Sequence, residues 1–306
     1  ELEPRQIHAN EFFCLLARPG CGKSTAMELL ESLLKDEGLD GFRMNQPASD
    51  VALREQLAGS QRLFCWDEFG EAFAQAAAGA TTMNAAIVRE SKIFWGRNKD
   101  IKGKGYAQSA KRDPIDIPEA YYTWFTATTA NRIKEALSGE FVLDGFVPRF
   151  VFIEGEDTLK FKDQLSFECP KDVREAIECL YPRIEGKGNL ALIKTERELA
   201  PEPIKAVFSK DALEESLFYK AFWQEKREEY KDDVEDALAN KRLAHYLKLC
   251  LIIAPSLIID LAIAKWVRRF VNVTMDRQRE ICEAEIGRGK LAALKERILQ
   301  VVPDND

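Results

Sequence analysis

The sequence has few of the residues that build histidine metal centres, disulfide frameworks or membrane spans. Only two histidines, His8 and His245, occur among its 306 residues, so a histidine-based metal centre is not expected. The seven cysteines are scattered without a CxxC pair, which is typical of a reduced, cytosolic protein without disulfides or structural zinc. The one candidate membrane span, residues 247–267, contains a proline and three charged residues, so it predicts a buried helix or helix pair.

Excess positive charge is also missing. The net charge is −7, so the chain as a whole does not attract nucleic acid or an anionic membrane, and any contact with a polyanion needs a local basic patch. Hydrophobic residues make up 46% of the chain, which is enough to bury a core. The chain begins without Met and without a signal peptide, and we expect it to be a piece of a longer protein.

Short apolar runs alternate with segments of helical periodicity in the first half of the chain. This alternation predicts an α/β fold with a parallel sheet covered on both faces by helices. The predicted strands are Phe12–Ala17, Arg62–Trp66, Tyr121–Thr128 and Phe150–Ile153. The predicted helices between them are Ser24–Lys35, Asp50–Gly59, Ala72–Phe94 with an interruption at Gly79, and Ala130–Leu137. The sequence therefore divides into an α/β core (1–156), a connecting segment of unassigned role (157–205) and a helical region (206–306).

The segment A-R-P-G-C-G-K-S at residues 17–24 lies between the first predicted strand and the first predicted helix. It fits the phosphate-loop pattern, except that Ala17 stands at the usual first Gly. In such a loop the glycines let backbone N–H groups face a phosphate, Lys23 reaches the β- and γ-phosphates, and Ser24 binds Mg²⁺. The residues predicted to contact ATP are Pro19, Gly20, Cys21, Gly22, Lys23, Ser24 and Thr25.

Two acidic residues, Asp67 and Glu68, follow the second predicted strand directly. A solvated turn is the alternative for such a pair. Together with the loop about 40 residues upstream, the pair favours Asp67 as a Mg²⁺ ligand and Glu68 as the base for the attacking water. At the end of the third strand, Thr128 and Asn131 are candidates for contact with the γ-phosphate or the water, although Asn131 could equally cap the next helix.

Four segments in this order, ARPGCGKST, LFCWDEFG, TATTANRIKEAL and DGFVPRF, resemble a family of phage and mobile-element ATPases of unknown function. That family is similar to the helicase half of primase-helicases and lies near the superfamily 3 and AAA+ helicases. The resemblance covers residues 12–155 and extends weakly to 239–249. It implies an AAA+-like P-loop NTPase core with a three-layer architecture, followed by a helical lid region.

The resemblance also implies roles for individual residues. Lys23, Ser24, Asp67 and Glu68 would be catalytic. Arg149 would be an arginine finger that completes the site of the neighbouring subunit in a ring, expected to be a hexamer. Lys241 or Arg242 would be the phosphate sensor of the lid.

Residues 97–112 form a basic segment in this acidic chain, with six basic residues and one acid. The segment predicts a flexible loop or hairpin tip that binds single-stranded DNA, because cations neutralise phosphates and an aromatic ring stacks on a base. The helicases that the chain resembles have a pore hairpin at this point, and a solvated surface loop is the alternative. The predicted contacts are Lys102, Lys104, Tyr106, Lys111 and Arg112.

These features favour an ATP-driven, ring-forming DNA helicase or translocase of phage or mobile-element replication, with ATP and Mg²⁺ as cofactors. It would act in the bacterial host cytoplasm, away from membranes, with a primase domain or partner. A phage DNA-packaging motor is the first alternative, but the nuclease domain that usually accompanies such motors is not evident after residue 156. A non-enzymatic, nucleotide-gated loader or switch is the second, and Glu68 argues against it.

Overall fold

A computed structural model gives the fold. It describes residues 7–36, 40–58, 61–97, 99–103, 114–137, 142–155, 206–230, 233–254 and 258–301. The connecting segment predicted at 157–205 lies outside the described residues.

The core is a sheet of five parallel strands, which confirms the predicted α/β class. Its strand order is β2-β3-β6-β1-β7. The strands are β1 (Phe12–Leu16), β2 (Arg43–Met44), β3 (Gln61–Trp66), β6 (Tyr121–Thr128) and β7 (Phe150–Glu154). The four strands predicted from the apolar runs are all present, and the two-residue β2 is additional because it is too short to show a pattern.

The register brings the ends of the strands to common edges. Leu16 at the end of β1 lies opposite Thr128 of β6 and Glu154 of β7, and Trp66 at the end of β3 lies opposite Thr126. We call this side the carboxyl edge of the sheet, and the opposite side, where the strands begin, the amino edge. Because β6 lies between β1 and β3, the segments that follow β1 and β3 face each other across the end of β6.

Helices pack on both faces of the sheet. One face buries an aromatic core that includes Phe12, Phe64 and Trp124 against the helices that follow β3. The other face contributes Val151 to a second core built with the C-terminal helices. The helices are α1 (Lys23–Asp36), α2 (Asp50–Leu57), α3 (Gly70–Ala77), α4 (Met83–Gly96), α5 (Ala130–Ala136), α6 (Lys210–Glu229), α7 (Asp233–Ile253) and α8 (Leu261–Val301).

The interruption predicted at Gly79 separates two helices. Gly79 has a φ of 70°, in the left-handed region that ends helices, so α3 stops before it and α4 starts after it. The apolar stretch at 247–267 is likewise divided between the end of α7 and the start of α8. In the described part of the chain, none of the helices is both long and apolar enough to span a bilayer.

The helical region packs directly on the core. Gln278 of α8 donates to the carbonyl oxygens of Val147, at 2.7 Å, and Phe150, at 3.3 Å. His245 and Lys248 of α7 contact the segment that leads into β1. Two short strands, β8 (Val207–Phe208) and β9 (Ile258–Ile259), pair in parallel within this region.

A small antiparallel hairpin carries the basic segment. Strand β4 (Lys99–Ile101) pairs with β5 (Ile117–Glu119), and β6 follows directly. The base of the hairpin is held by Arg54 of α2, whose guanidinium donates to the Lys102 carbonyl oxygen at 3.0 Å and is paired with buried Glu90. The two strands pair on either side of residues 104–113, which lie outside the described residues, so the loop or hairpin tip expected there stays a prediction.

Candidate active site

The loop after β1, residues 17–22, forms an open turn at the carboxyl edge. Gly20 and Gly22 have φ values of 81° and 77°, a conformation that glycine adopts without strain. No heavy atom lies within 4 Å of a Cβ placed on either residue, so these glycines are needed for backbone conformation and leave the loop accessible. The loop is tied to β6 because the Ala17 N–H donates to the Thr128 carbonyl oxygen at 3.3 Å.

Lys23 begins α1 and folds back over this loop. Its Nζ donates to the carbonyl oxygens of Ala17, at 3.1 Å, and Arg18, at 2.9 Å. The ammonium therefore lies beside the helix N-terminus and the glycine turn, where the positive end of the helix dipole favours an anion.

Ser24 and Asp67 contact each other across the end of β6. The Ser24 hydroxyl donates to Asp67 Oδ2 at 2.8 Å, although the two residues are 43 positions apart and follow strands that are not neighbours. Both side chains are exposed, so their oxygens are available to a cation. Mg²⁺ prefers a site of one or two protein oxygens completed by water and phosphate, and this pair fits that requirement.

Glu68 has a strained backbone beside this pair. Its φ of 51° lies in the left-handed region, where residues other than glycine are uncommon. Its N–H donates to Asp67 Oδ1 at 2.9 Å, so the turn uses one carboxylate oxygen of Asp67 to hold Glu68 and the other to hold Ser24. Its exposed carboxylate lies at the carboxyl edge with these two residues, and strained residues of this kind concentrate at functional sites.

Gly70 lies where the acidic turn packs against β6, and no sequence motif marks it. A Cβ at this position would come within 2.6 Å of Arg132 Cβ and closer still to Thr128 Oγ1, so only glycine fits. The Phe69 N–H donates to the Ala127 carbonyl oxygen at 3.2 Å, which also joins the acidic turn to β6. The close approach of Gly70 to β6 has no local signal in the sequence, because it depends on the pairing of β3 with β6.

The polar residues at the end of β6 have different surroundings. Thr128 is 3% exposed and lies between the acidic turn and α5. Thr129, rather than Asn131, caps α5, because its side chain accepts from the Arg132 N–H. Asn131 is exposed at the second position of that helix. The cap alternative for Asn131 is therefore wrong, and its contact with a phosphate stays a prediction.

Arg149 lies at the amino edge, away from the glycine loop. It directly precedes β7, whose five residues span about 16 Å before the carboxyl edge at ~3.3 Å per residue. Its half-buried guanidinium donates to the Gly145 carbonyl oxygen and lies 5.7 Å from the centre of the Trp95 ring. Burial lowers the pKa of Arg149. Arg149 therefore does not reach the loop of its own chain.

Lys241 and Arg242, the two candidates for the phosphate sensor, have their neighbours elsewhere in the fold. Arg242 is buried, stacks 4.1 Å from the centre of the Trp223 ring and pairs with Asp276. Lys241 lies at the amino edge, with its Nζ 5.7 Å from the centre of the Trp95 ring.

The cation that the helical region does bring to the carboxyl edge is Arg277 of α8. It binds Glu154, the last residue of β7, through Nε at 2.5 Å and a terminal nitrogen at 3.1 Å. The hydrogen bond to Arg277 lowers the pKa of Glu154. A cavity of about 100 Å³ opens here between α5, the end of β7 and α8, with Lys134 and Glu280 in its lining. No local pattern in the sequence points to Arg277, because its partner is 123 positions away.

Of the five predicted DNA contacts, Lys102 is the one that lies among the described residues. Lys102 is exposed and pairs with Asp116 at 2.9 Å, which raises the pKa of Lys102. The other predicted DNA contacts lie outside the described residues: Lys104, Tyr106, Lys111 and Arg112. The placement of Lys102 is compatible with either a nucleic-acid contact or a solvated loop.

Comparison of the chain with protein-family models and with curated proteins finds no match.

Proposed function

We propose that the chain is a P-loop NTPase of the AAA+-like class that hydrolyses ATP with Mg²⁺. The observation that carries this proposal is the hydrogen bond between Ser24 and Asp67. It brings together a hydroxyl at the start of a helix behind a glycine turn and a carboxylate at the end of a buried strand. These are the two protein oxygens that a Mg²⁺–nucleotide complex needs, and they meet only because β1 and β3 flank β6.

Each residue of the site has a distinct part in this reaction. The N–H groups of the glycine turn and the N-terminus of α1 bind the phosphates, and Lys23 exchanges its two carbonyl partners for phosphate oxygens. Ser24 and Asp67 would hold Mg²⁺, which would neutralise part of the phosphate charge. Glu68 accepts the proton of the attacking water, and its exposed position leaves room for that water.

Replacement of Glu68 by Gln tests the proposal. Hydrolysis should fall by about 10²–10⁴-fold, because general base catalysis is lost, while ATP binding persists because Lys23 and Ser24 are intact. Steady-state phosphate release and binding of a fluorescent ATP analogue measure the two properties. Glu71→Gln, an exposed carboxylate in the first turn of α3, is the matched control and should keep full activity.

Two outcomes would contradict this assignment. Unchanged hydrolysis in Glu68→Gln would show that Glu68 is not the general base. Nucleotide binding without turnover in the unaltered chain would favour the loader or switch.

We further propose that hydrolysis drives a ring-forming DNA helicase or translocase in phage or mobile-element replication. Three features support this function: the motif resemblance, the basic hairpin before β6 and the position of Arg149 at the edge away from its own loop. An arginine at that edge can serve only the nucleotide of another subunit, where such a residue contributes about 10³–10⁵ in rate.

Combined replacement of Lys102, Lys104 and Lys111 by Ala should abolish stimulation of the ATPase by single-stranded DNA. The reason is the loss of three cations that neutralise phosphates. ATPase rates with and without DNA measure the effect, and unchanged stimulation would exclude the hairpin as the contact. Strand displacement on forked DNA by the unaltered chain separates a helicase from a packaging motor, which would translocate duplex DNA instead.

A further inference from the structure

The first turns of α8 place aromatic and basic side chains together on the exposed side of the helix. Trp266 is 52% exposed and Val273, two turns later, is 70% exposed, although both are large apolar residues. Lys265 and Arg269, one turn apart, are exposed beside them. We call these four residues the Trp266 surface. A single exposed tryptophan is ordinary, but cations on the same side of the helix point to a ligand.

The rest of the fold holds this surface in place. Ala264, Val267 and Val271, on the opposite side of α8, are fully buried in the second core. The Trp266 ring stacks on Phe270, with 5.3 Å between the ring centres and 8° between the planes. Because Phe270 is itself packed against the second core, it supports the indole from one side and leaves the remainder of the ring facing solvent.

The positive charge of the Trp266 surface has no counter-charge in ion-pair contact. Residues 261–275 contain three basic residues and no acid, in a chain whose net charge is −7. Arg268 is paired with Glu215 of α6 at 2.5 Å. Among the described residues, no carboxylate forms an ion pair with Lys265 or Arg269. These two cations are therefore available to an anionic ligand.

The acids that border this stretch have other partners. Asp260 accepts from the Ile263 N–H at 2.9 Å and so caps the first turn of α8. Asp276 is paired with the buried Arg242. The local basic patch that an acidic chain needs to contact a polyanion is thus present on α8, apart from the segment 97–112.

We propose that the Trp266 surface binds single-stranded nucleic acid, with one base stacked on Trp266 and adjacent phosphates paired with Lys265 and Arg269. The inference rests on the proposed action on single-stranded DNA and adds a contact outside the segment 97–112. Surfaces that bind single strands without sequence preference combine an aromatic platform with cations. Here the two cations are ~6 Å apart along the helix axis, at 1.5 Å per residue.

A single strand fits this surface better than a duplex or a membrane does. An unpaired base offers a free face to the indole, whereas the bases of a duplex are stacked on each other. A helix that lies in a membrane interface buries its apolar face in lipid. The apolar face of α8 is occupied by the second core, and only Trp266 and Val273 remain on the exposed side.

Binding of a labelled oligothymidylate at several salt concentrations, measured by fluorescence anisotropy without ATP, tests the proposal. The parent protein is the triple Ala variant of the segment 97–112, so that this segment contributes little. Trp266→Ala should weaken binding by about 10-fold with an unchanged salt dependence, because stacking is lost and no charge is removed. Trp266→Phe keeps an aromatic ring and should retain most of the affinity.

Removal of the two cations should have a different signature. The double variant Lys265→Ala and Arg269→Ala should reduce the slope of log K against log salt concentration by about 1.4, since each phosphate contact on a single strand contributes about 0.7. The matched charge control is Lys210→Ala with Lys220→Ala, which removes two lysines from α6 and should leave the slope unchanged.

Phe218→Ala is the matched aromatic control. Phe218 of α6 is 63% exposed, but it follows Glu214 by one turn, and an acid there repels phosphates. Its replacement should leave oligothymidylate binding unchanged. Equal losses in Phe218→Ala and Trp266→Ala would overturn the proposal, because exposed apolar area alone would then account for the effect.

The other outcomes are also decisive. Unchanged binding in both Trp266→Ala and the double variant overturns the inference. So does a loss of binding to phosphatidylserine vesicles in Trp266→Ala without a loss of oligothymidylate binding, which assigns the surface to a membrane. A lower sedimentation coefficient of Trp266→Ala with unchanged oligothymidylate binding assigns it to contact between copies. ATP hydrolysis by the unaltered chain is measured in parallel, and its absence removes the ATPase function whatever the binding result.

Discussion

The two edges of the central sheet use polar residues in opposite ways. At the carboxyl edge, Ser24, Asp67 and Glu68 are exposed and are linked through the two carboxylate oxygens of Asp67. At the amino edge, Glu11, His245 and Lys248 are buried and join segments more than 200 positions apart. Exposed groups can exchange protein partners for ligand without a large loss of stability, whereas buried charges hold the fold together as long as every partner is present. We therefore expect substitutions of the exposed Ser24, Asp67 and Glu68 to reduce activity and substitutions of the buried Glu11, His245 and Lys248 to reduce stability.

The largest loss of stability is expected from Glu11→Ala. The carboxylate of Glu11 accepts from the Phe12 N–H, from Trp95 Nε1 at 2.8 Å and from His245. Its removal leaves these buried donors unpaired and should lower the free energy of unfolding by about 3–5 kcal/mol. Urea denaturation followed by tryptophan fluorescence measures the change.

Asp67→Ala removes a carboxylate from the other edge and is the matched comparison for Glu11→Ala. It should change the free energy of unfolding by about 0.5 kcal/mol or less while it abolishes hydrolysis. Similar losses of stability in both variants would remove the contrast between the two edges.

An intermediate effect is expected from Gly70→Ala. Because a Cβ here collides with Thr128 and Arg132, the acidic turn must move away from β6, at a cost of about 1–3 kcal/mol. Hydrolysis should fall as well, since Asp67 and Glu68 move with the turn. Thermal denaturation and ATPase rates report the two effects.

Gly96→Ala is the control for this change. It lies at the end of α4, where nothing approaches its Cβ position within 4 Å, and it should leave stability equal or slightly higher. Full activity of Gly70→Ala would show that the acidic turn tolerates displacement.

The smallest effect is expected from Arg277→Met. The pair with Glu154 is more than a third exposed on both sides, so it should contribute about 1 kcal/mol or less. The pKa of Glu154 is lowered in the folded state, so this contribution is present above its ordinary value of 4.5 and is lost as the pH falls through the lowered value. The difference in free energy of unfolding between the two proteins should therefore be present at pH 7 and disappear in acid.

Arg269→Met, an exposed position on the same helix, is the control and should show no such dependence on pH. A difference for Arg277→Met that persists unchanged in acid would show that the arginine acts through packing rather than through Glu154.

The sequence alone determined the local elements around the carboxyl edge. Tyr121–Thr128 is a strand with the predicted bounds, because β-branched and aromatic residues favour a pleated, buried segment. Gly20 and Gly22 have positive φ values, as the glycine-rich turn predicts, and strands β4 and β5 pair directly before β6. These features depend on interactions within a few residues, so their signals are local.

Only the tertiary structure decided which distant residues meet. The contact of Ser24 with Asp67, the close approach of Gly70 to Thr128 and the pairing of Glu154 with Arg277 all depend on the order of strands and the packing of α8. The resemblance implies Lys241 or Arg242 as the phosphate sensor of the lid, and the fold places Lys241 near Arg149 at the amino edge. The sequence predicted that the glycine loop binds phosphate. The strand order places Asp67 beside that loop and leaves Arg149 and Lys241 at the amino edge of the sheet.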